Sequence, residues 1–163
     1  MEPKWLSADE REAWLGLAAV LELLPGVLDA QLRRDAELTQ FEYYVLAMLS
    51  ETTERTLRMT ELAAITNATL PRLSHVVRRL AERGLLDKYP CPTDGRATNV
   101  TLTDMGWVKV RASAPGHVAT VREHVIDPLT SSQITQLTEL THAMLQRLDP
   151  DGAMRPVQTR ERT

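Results

Sequence analysis

Residues 60–84 read TELAAITNATLPRLSHVVRRLAERG, and residues 85–102 read LLDKYPCPTDGRATNVTL. The first stretch holds two short runs of apolar residues at helical spacing, with Asn67 and Thr69 between them. Asn67 tolerates the left-handed conformation that ends a helix, and Thr69 is a favourable N-cap. Pro71 then falls in the first helical turn, where its missing N–H costs little. This pattern predicts a helix-turn-helix over about 60–84.

Each of the two predicted helices has an apolar face. The first, about 60–65, directs inward Leu62, Ala63 and Ile65. The second buries Leu73, Val76, Val77 and Leu80, and ends at Gly84. The outward face of the second helix is polar and basic, with Thr69, Leu70, Arg72, Ser74, His75, Arg78 and Arg79.

A two-stranded hairpin is predicted directly after Gly84. Residues 85–89 and 98–102 read as strands, and residues 90–95 are dense in turn formers. We expect a tip of about six to nine residues, longer than the common tight loop. A helix-turn-helix followed by such a hairpin is a winged helix-turn-helix, and the predicted fold class is mainly α with a small β-hairpin wing.

Further helices are predicted on both sides of this winged module. The first starts at Ser7, which forms a capping box with Glu10, and a kink or short break is expected at Pro25-Gly26. The second starts at Thr39, which forms a capping box with Glu42. Its apolar face is formed by Phe41, Tyr44, Val45, Met48 and Leu49. The fifth starts at Thr103, interrupted near Pro115-Gly116. The last follows a capping box of Thr130 with Gln133, and its apolar side holds Ile134, Leu137, Leu140, Met144, Leu145 and Leu148.

Length and composition are compatible with one intracellular domain. The chain has 163 residues, of which 43% are hydrophobic, and no uninterrupted apolar run approaches the roughly 20 residues of a membrane span. We predict one domain over residues 1–149, with the winged module at about 38–106 and flanking helices at about 7–36 and 104–148. Residues 150–163 lose apolar periodicity and are predicted to be a disordered tail.

Charge is unevenly distributed along the chain. The net charge is −3, yet residues 58–96 carry seven cations and four anions, a net of +3. A basic middle segment between acidic arms is typical of a protein that meets phosphate with one part only. The alternative is an ordinary solvated surface, which stays open above all for Arg79 and Arg83.

The winged pattern indicates DNA recognition. A helix fits the major groove, where each base pair presents a distinct set of donors and acceptors, and a wing can place a cation on the backbone or in the minor groove. The candidate DNA-binding residues are Thr69, Leu70, Arg72, Ser74, His75, Arg78, Asp94 and Arg96. We expect the Asp94 carboxylate to brace the Arg96 guanidinium by a charge-assisted hydrogen bond.

The sequence resembles the MarR family of bacterial regulators. The similarity lies in Leu62-Ala63, in RLSHVVRRL at 72–80, in RGLL at 83–86, in PTDGR at 92–96 and in VTLTDMG at 100–106. The Asp-x-Arg of the wing and the Leu-Thr-x-x-Gly that opens the next helix occur in the family's order. The resemblance implies a cytoplasmic, nucleoid-associated transcriptional regulator, expected to repress a near-palindromic operator.

The resemblance further implies a homodimer whose first and last helices interlock, and the leucine-rich faces of those helices favour this independently. The resemblance also implies a site for a small aromatic or phenolic anion between the dimer helices and the winged module. The candidate lining residues are Trp14, Tyr44, Met48 and Trp107, with Phe41 and Tyr43, although plain core packing is the alternative that the sequence favours. Some members sense oxidants through cysteines near the N-terminal helices. Cys91 does not match that position, although Lys88 and Arg96 near it favour thiolate.

Two other functional classes fit the sequence less well. A winged-helix protein-interaction module keeps the fold but gives no reason for Arg72, His75 and Arg96 to share one side. An enzyme needs a nucleophile–base spacing, a phosphate-cradling glycine loop or a metal motif, and the sequence has none of these. His117, Glu123, His124 and His142 lack the tight spacing of metal ligands, so structural histidines are expected and no cofactor or metal is predicted.

Overall fold

The structure, a computed structural model, describes residues 3–154. Within these residues it contains six α-helices and a three-stranded antiparallel sheet. In chain order the elements are α1 (Ala8–Ala36), α2 (Gln40–Ser50), β1 (Thr56–Arg58), α3 (Met59–Ile65), α4 (Leu70–Glu82), β2 (Leu86–Cys91), β3 (Asp94–Leu102), α5 (Asp104–Val121), a π-helical turn (Arg122–Ile126) and α6 (Ser131–Leu148). The mainly α fold class with a small wing is confirmed.

One hydrophobic core lies beneath the winged module. It joins the C-terminal end of α1 to α2, α3, α4, the sheet and the start of α5. The side chains that are fully shielded from water are mostly leucines, Leu32, Leu38, Leu46, Leu49, Leu62, Leu73 and Leu80. Burial of each of these leucines contributes about 1.5–3 kcal/mol, so the winged module supplies most of the hydrophobic free energy that stabilises the fold.

The helix-turn-helix follows the sequence prediction closely. Asn67 has φ 49°, Thr69 caps α4 by accepting a hydrogen bond from the Arg72 N–H, and Gly84 ends the helical region with φ 73°. Leu73, Val77 and Leu80 are buried as predicted, while Val76 is half-buried. Local turn and cap chemistry therefore sets the boundaries of α3 and α4.

The predicted face of α2 is partly wrong. Val45 and Leu49 are buried as expected, but Tyr43, Leu46 and the carboxyl-bearing Glu42 are buried with them. Phe41, Tyr44 and Met48 are only partly buried. The reason is that α1, α3, α5 and β3 all contact α2, so its buried arc is wider than the face of a helix packed on one side.

The wing is a three-stranded sheet with the order β1-β3-β2. The expected long tip is wrong: β2 reaches Cys91, β3 begins at Asp94, and only two residues lie between them. A register shift between Pro90 and Cys91 accommodates the unequal strand lengths. Proline is tolerated here because β2 is an edge strand. The short strand β1 was not predicted.

Neither proline breaks its helix, so the interruption expected near Pro115 is wrong, while a kink at Pro25 stays a prediction. Pro25 lies inside the continuous α1 and Pro115 inside the continuous α5. Each proline removes one ladder hydrogen bond, which a helix of 29 or 18 residues tolerates when the ring lies on its exposed side, as both rings do. The irregularity near α5 is instead the π-helical turn that follows it.

Most of the predicted tail, residues 155–163, lies outside the described residues, so its disorder stays a prediction. Residues 150–154 form a turn in which the Asp149 carboxylate accepts hydrogen bonds from the Ala153 N–H, at 2.8 Å, and the Met154 N–H, at 3.1 Å. The first residues of the predicted tail are therefore held in a turn by Asp149.

Gly106 allows α5 to approach the winged module closely. A Cβ atom at this position would lie 2.2 Å from the Leu85 carbonyl oxygen and 2.5 Å from Leu102 Cδ1. Because a backbone atom cannot move aside cheaply, we expect Gly106→Ala to lower the free energy of unfolding by about 1–3 kcal/mol. Urea denaturation measures the decrease. Gly95→Ala, where nothing lies within 4 Å, is the control and should stay within about 0.5 kcal/mol of the wild type.

Candidate nucleic-acid interface

The exposed side of α4 has two edges that face different neighbours. One edge faces β2 across a groove of about 500 Å³ lined by Pro71, Ser74, His75, Arg78, Ala81, Glu82 and Lys88. The other faces α1 and α2 across a cavity of about 580 Å³, to which α4 contributes Arg72, His75, Val76 and Arg79. His75 lies on both. Between these edges α4 presents the surface that a DNA groove would meet.

The N-terminal end of α4 holds Thr69 and Leu70. The Thr69 hydroxyl is used for capping, and the Leu70 side chain is half exposed. A half-exposed leucine at the start of this helix is able to contact a thymine methyl or sugar. The first turn offers phosphate few N–H groups, because Pro71 has none and the Arg72 and Leu73 N–H groups donate to Thr69.

Arg72 lies on the α2 edge of α4. Its guanidinium carbon is 4.1 Å from the centre of the Phe41 ring, within cation–π range. The sequence assigned Phe41 to a possible ligand site, whereas the structure makes it the platform that holds Arg72. Such stacking restricts the guanidinium and leaves its N–H groups free to donate.

Ser74 and His75 lie on the β2 edge, and Arg78 follows them about one helical turn later. Arg78 Nη2 and His75 Nδ1 are 3.0 Å apart. Lys88 of β2 lines the same groove, although it was not among the predicted site residues. Lys88 lies two residues after the buried Leu86, on the same face of β2, and this spacing was the signal that could have placed it beside α4.

The wing tip differs from its predicted geometry. The Asp94 carboxylate accepts a hydrogen bond from the backbone N–H of Arg96 at 3.1 Å, not from the guanidinium. Asp94 therefore shapes the backbone of the tip, in the manner of an Asx turn, and leaves the Arg96 side chain exposed to solvent.

Cys91 is buried at the base of this tip. The pKa of its thiol is lowered chiefly by the hydrogen bond with the Thr93 hydroxyl, whose oxygen lies 3.3 Å from Sγ, and by the Thr93 backbone. Arg58 makes the smallest contribution, and the expected causes, Lys88 and Arg96, are not among them. Hydrogen bonds with Thr93, rather than a cluster of cations, thus lower the pKa of this thiol.

Arg79 and Arg83, whose role the sequence left open, have protein partners. Both approach the carboxylate of Glu42, which is 2% exposed, and Arg83 also donates to the Glu37 carbonyl oxygen. Sequence reasoning missed Glu42 as a partner because it had placed this residue only in the α2 capping box.

The structure places the four candidate ligand residues, Trp14, Tyr44, Met48 and Trp107, in different surroundings. Tyr44 donates from its hydroxyl to the Ile65 carbonyl oxygen, and burial raises the pKa of this phenol. Met48 and Trp107 pack against the core, with Arg55 above the Trp107 ring, and Trp14 is half exposed on α1. Five surface cavities formed by residues 3–154 include none of these four side chains. A small-molecule site stays a prediction.

His117, one of the histidines predicted to be structural, packs between α5 and α2. Its ring centre lies 4.6 Å from that of Tyr43, and burial lowers the pKa of the imidazole. Its Nδ1 atom has no hydrogen-bond partner among the described residues.

Comparison with known proteins identifies relatives along nearly the whole chain. The family model described as "MarR family" matches residues 37–97. The structure is similar to Sco3205, a MarR family transcriptional regulator from Streptomyces coelicolor solved in complex with DNA, with 41% identity, a TM-score of 0.87 and coverage of 95% of this chain and 97% of that one. It is also similar to AbsC, a MarR family transcriptional regulator from the same organism, with 34% identity, a TM-score of 0.84 and coverage of 90% and 98%.

A more distant structure shares the fold. Wild-type MarR from E. coli, in its apo form, is 18% identical, with a TM-score of 0.68 and coverage of 87% of this chain and 99% of that one. A search of curated proteins found no match.

Proposed function

This chain belongs to the MarR family of transcriptional regulators, and from that premise we propose that it binds DNA sequence-specifically as a homodimer. Relatives of the chain are transcriptional regulators, so we propose no enzymatic activity. The observation that carries DNA binding is the combination of a 41% identical relative solved on DNA with an α4 surface bearing Arg72, Ser74, His75 and Arg78. Major-groove readout by these side chains and backbone contact by Arg96 follow from that arrangement.

The terminal helices support a dimer. No residue of α6 is buried, and the buried residues of α1 all lie at or after Leu28. An 18-residue helix that buries nothing is not expected to be stable in water, since most helical stability in proteins comes from packing. The large apolar side chains at least one third exposed are Trp5, Leu6, Trp14, Leu15, Val20, Leu21 and Leu23 in or near α1, and Ile134, Leu137, Leu140, Met144 and Leu148 on α6.

The occupant proposed for this surface is a second copy of the chain. By length and mean hydropathy, 1.6 over an 18-residue window, α1 alone would also suit a membrane. However, Glu22 and Asp29 interrupt its apolar sequence, and its C-terminal part packs on α2 and α5. The exposed apolar faces of α1 and α6 favour a two-fold interface. In such an interface each helix packs against the same helix of the second copy, or α1 of one copy packs against α6 of the other.

Operator geometry follows from the two-fold axis. A symmetric dimer should read a near-palindrome with half-site centres about 10–10.5 bp apart, or a multiple of that spacing. We propose repression as the mode of regulation, with release by a small aromatic or phenolic ligand. The site of action is the cytoplasm, in association with the nucleoid, because that is where a bacterial regulator meets DNA.

Salt dependence separates this function from the alternative, a winged-helix module that binds protein. We expect binding to labelled duplex DNA in a gel shift, with an affinity that falls steeply between about 50 and 200 mM salt because phosphate contacts release counterions. A labelled acidic peptide with the same net charge as the duplex is the control for attraction by charge alone. A chain that binds no duplex at the lower salt concentration would favour the protein-interaction module.

A further inference from the structure

Glu42 is a buried carboxylate that holds two arginines of α4. Its Oε2 accepts a hydrogen bond from the Thr39 N–H at 2.8 Å and lies 3.9 Å from Arg83 Nη1. Its Oε1 lies 3.6 Å from Arg79 Nη2 and has no hydrogen bond among the described residues. Arg83 is also held by the Glu37 carbonyl oxygen at 3.1 Å. Both guanidiniums are thus attached to the start of α2 and the turn before it.

The negative charge of Glu42 is not needed for capping α2. The same kind of capping box begins α6, with a glutamine in place of the glutamate. There the Thr130 N–H donates to the Gln133 side-chain oxygen at 2.9 Å, and the Gln133 N–H donates to the Thr130 hydroxyl. Either glutamine or glutamate completes this position of the box. A buried charge costs free energy unless it is paired, so its presence at Glu42 is explained by Arg79 and Arg83 rather than by the cap.

The two arginines would otherwise add to the cationic surface of α4. Arg79 lines the same cavity as Arg72 and His75, on the edge of the helix that faces α2. Its side chain is 53% exposed and that of Arg83 is 36% exposed, so neither is sealed away from solvent. Released from Glu42, flexible guanidiniums at these positions would be available to phosphate, which attracts them without regard to sequence.

We propose that Glu42 is a positioning residue for DNA recognition, which fixes α4 on α2 and withholds Arg79 and Arg83 from phosphate. This rests on the proposed DNA-binding function. Recognition then depends on Arg72, Ser74, His75 and Arg78, and sequence-independent affinity is kept low. Specificity is the ratio of operator binding to non-specific binding, so restraint of two cations raises it without any new base contact.

Glu42→Gln tests this proposal because it keeps the capping box and removes only the charge. We expect affinity for scrambled duplex at about 50 mM salt to rise about threefold to tenfold, and the log–log salt slope on that duplex to steepen by about 0.9 for each guanidinium that reaches phosphate. The ratio of operator to scrambled affinity should fall. Glu10→Gln, at the same position of the α1 capping box, removes the same charge far from α4 along the chain and is the matched control.

A second set of variants keeps Glu42 in place. We expect Arg79→Gln and Arg83→Gln each to have the same salt slope on scrambled duplex as the control variant Arg11→Gln. This control removes one positive charge from α1. In the Arg79→Gln, Arg83→Gln background, Glu42→Gln should no longer steepen the slope. A purely structural role for Glu42 would change the melting temperature but not these slopes.

Two results would overturn the proposal. One is a Glu42→Gln chain that folds and binds scrambled duplex with the wild-type affinity and slope. The other is a decrease of about 0.9 in slope on Arg79→Gln or Arg83→Gln alone, which would show that these arginines already contact phosphate. Either result is distinct from failure of the proposed function, in which the wild-type chain itself binds no duplex.

Discussion

Leu140→Glu is expected to leave the chain monomeric and to weaken operator binding by roughly 10²–10⁴-fold. The Leu140 side chain is 60% exposed in the single chain and lies on the apolar side of α6. A charge there costs little in a monomer but would be buried without a partner in the proposed interface. Without the dimer there is no second half-site contact, and the effective concentration that links the two binding events disappears.

Sedimentation velocity at micromolar concentration measures this directly. The wild type should sediment at twice the 18.3 kDa chain mass, and Leu140→Glu at the chain mass itself. Gln146→Glu adds the same charge on the opposite, polar side of α6 and should remain dimeric. A wild-type monomer, or a Leu140→Glu dimer of unchanged affinity, would contradict the proposed interface.

Variants of Arg72 and Arg96 should distinguish base contacts made by α4 from backbone contacts made by the wing. Arg72→Ala should weaken operator binding by roughly 2–6 kcal/mol per dimer, from a decrease of about 1–3 kcal/mol in each half-site, and should relax selectivity at one position of each. Arg72→Lys should not restore it, because an ammonium neither stacks on Phe41 in the same way nor donates in a planar fork.

Arg96→Ala should instead weaken binding to every sequence. The salt slope should decrease by about 0.9 for each phosphate that Arg96 no longer neutralises in each subunit. Asp94→Ala should have a milder effect of the same kind, because Asp94 holds the backbone N–H of Arg96 and so shapes the wing tip rather than gripping the guanidinium. The measurement is a pair of titrations against salt, on operator and scrambled DNA.

Two results would contradict this division between α4 and the wing. Equal weakening of operator and scrambled binding by Arg72→Ala would show that Arg72 contacts only phosphate. An unchanged affinity and slope for Arg96→Ala would show that the wing tip does not contact DNA.

Features governed by nearby residues were predictable from the sequence. The capping boxes that begin at Ser7, Thr39 and Thr130, the left-handed Asn67 and the end of α4 at Gly84 all follow from chemistry within a few residues. The apolar periodicity of α4 also placed its buried side correctly in outline. Together these features specified the winged helix-turn-helix.

Features that depend on residues far apart in the chain could not be predicted from the sequence. The strand β1 has three residues and depends on pairing with β3, for example Leu57 with Val100, which no local pattern reveals. The tight wing tip was missed because prolines that indicate a turn are equally tolerated on an edge strand. The pairing of Glu42 with Arg79 and Arg83 joins residues far apart in the chain, so the sequence could show their charges but not their contact.

Selection of bound fragments from a random duplex library at physiological salt tests sequence-specific DNA binding most directly. We predict enrichment of one near-palindromic sequence with half-site centres about 10–10.5 bp apart, or a multiple of that distance. The enrichment should disappear in Leu140→Glu and should become degenerate at one position per half-site in Arg72→Ala. Recovered fragments that share no common sequence and match the starting library in composition would contradict sequence-specific DNA binding.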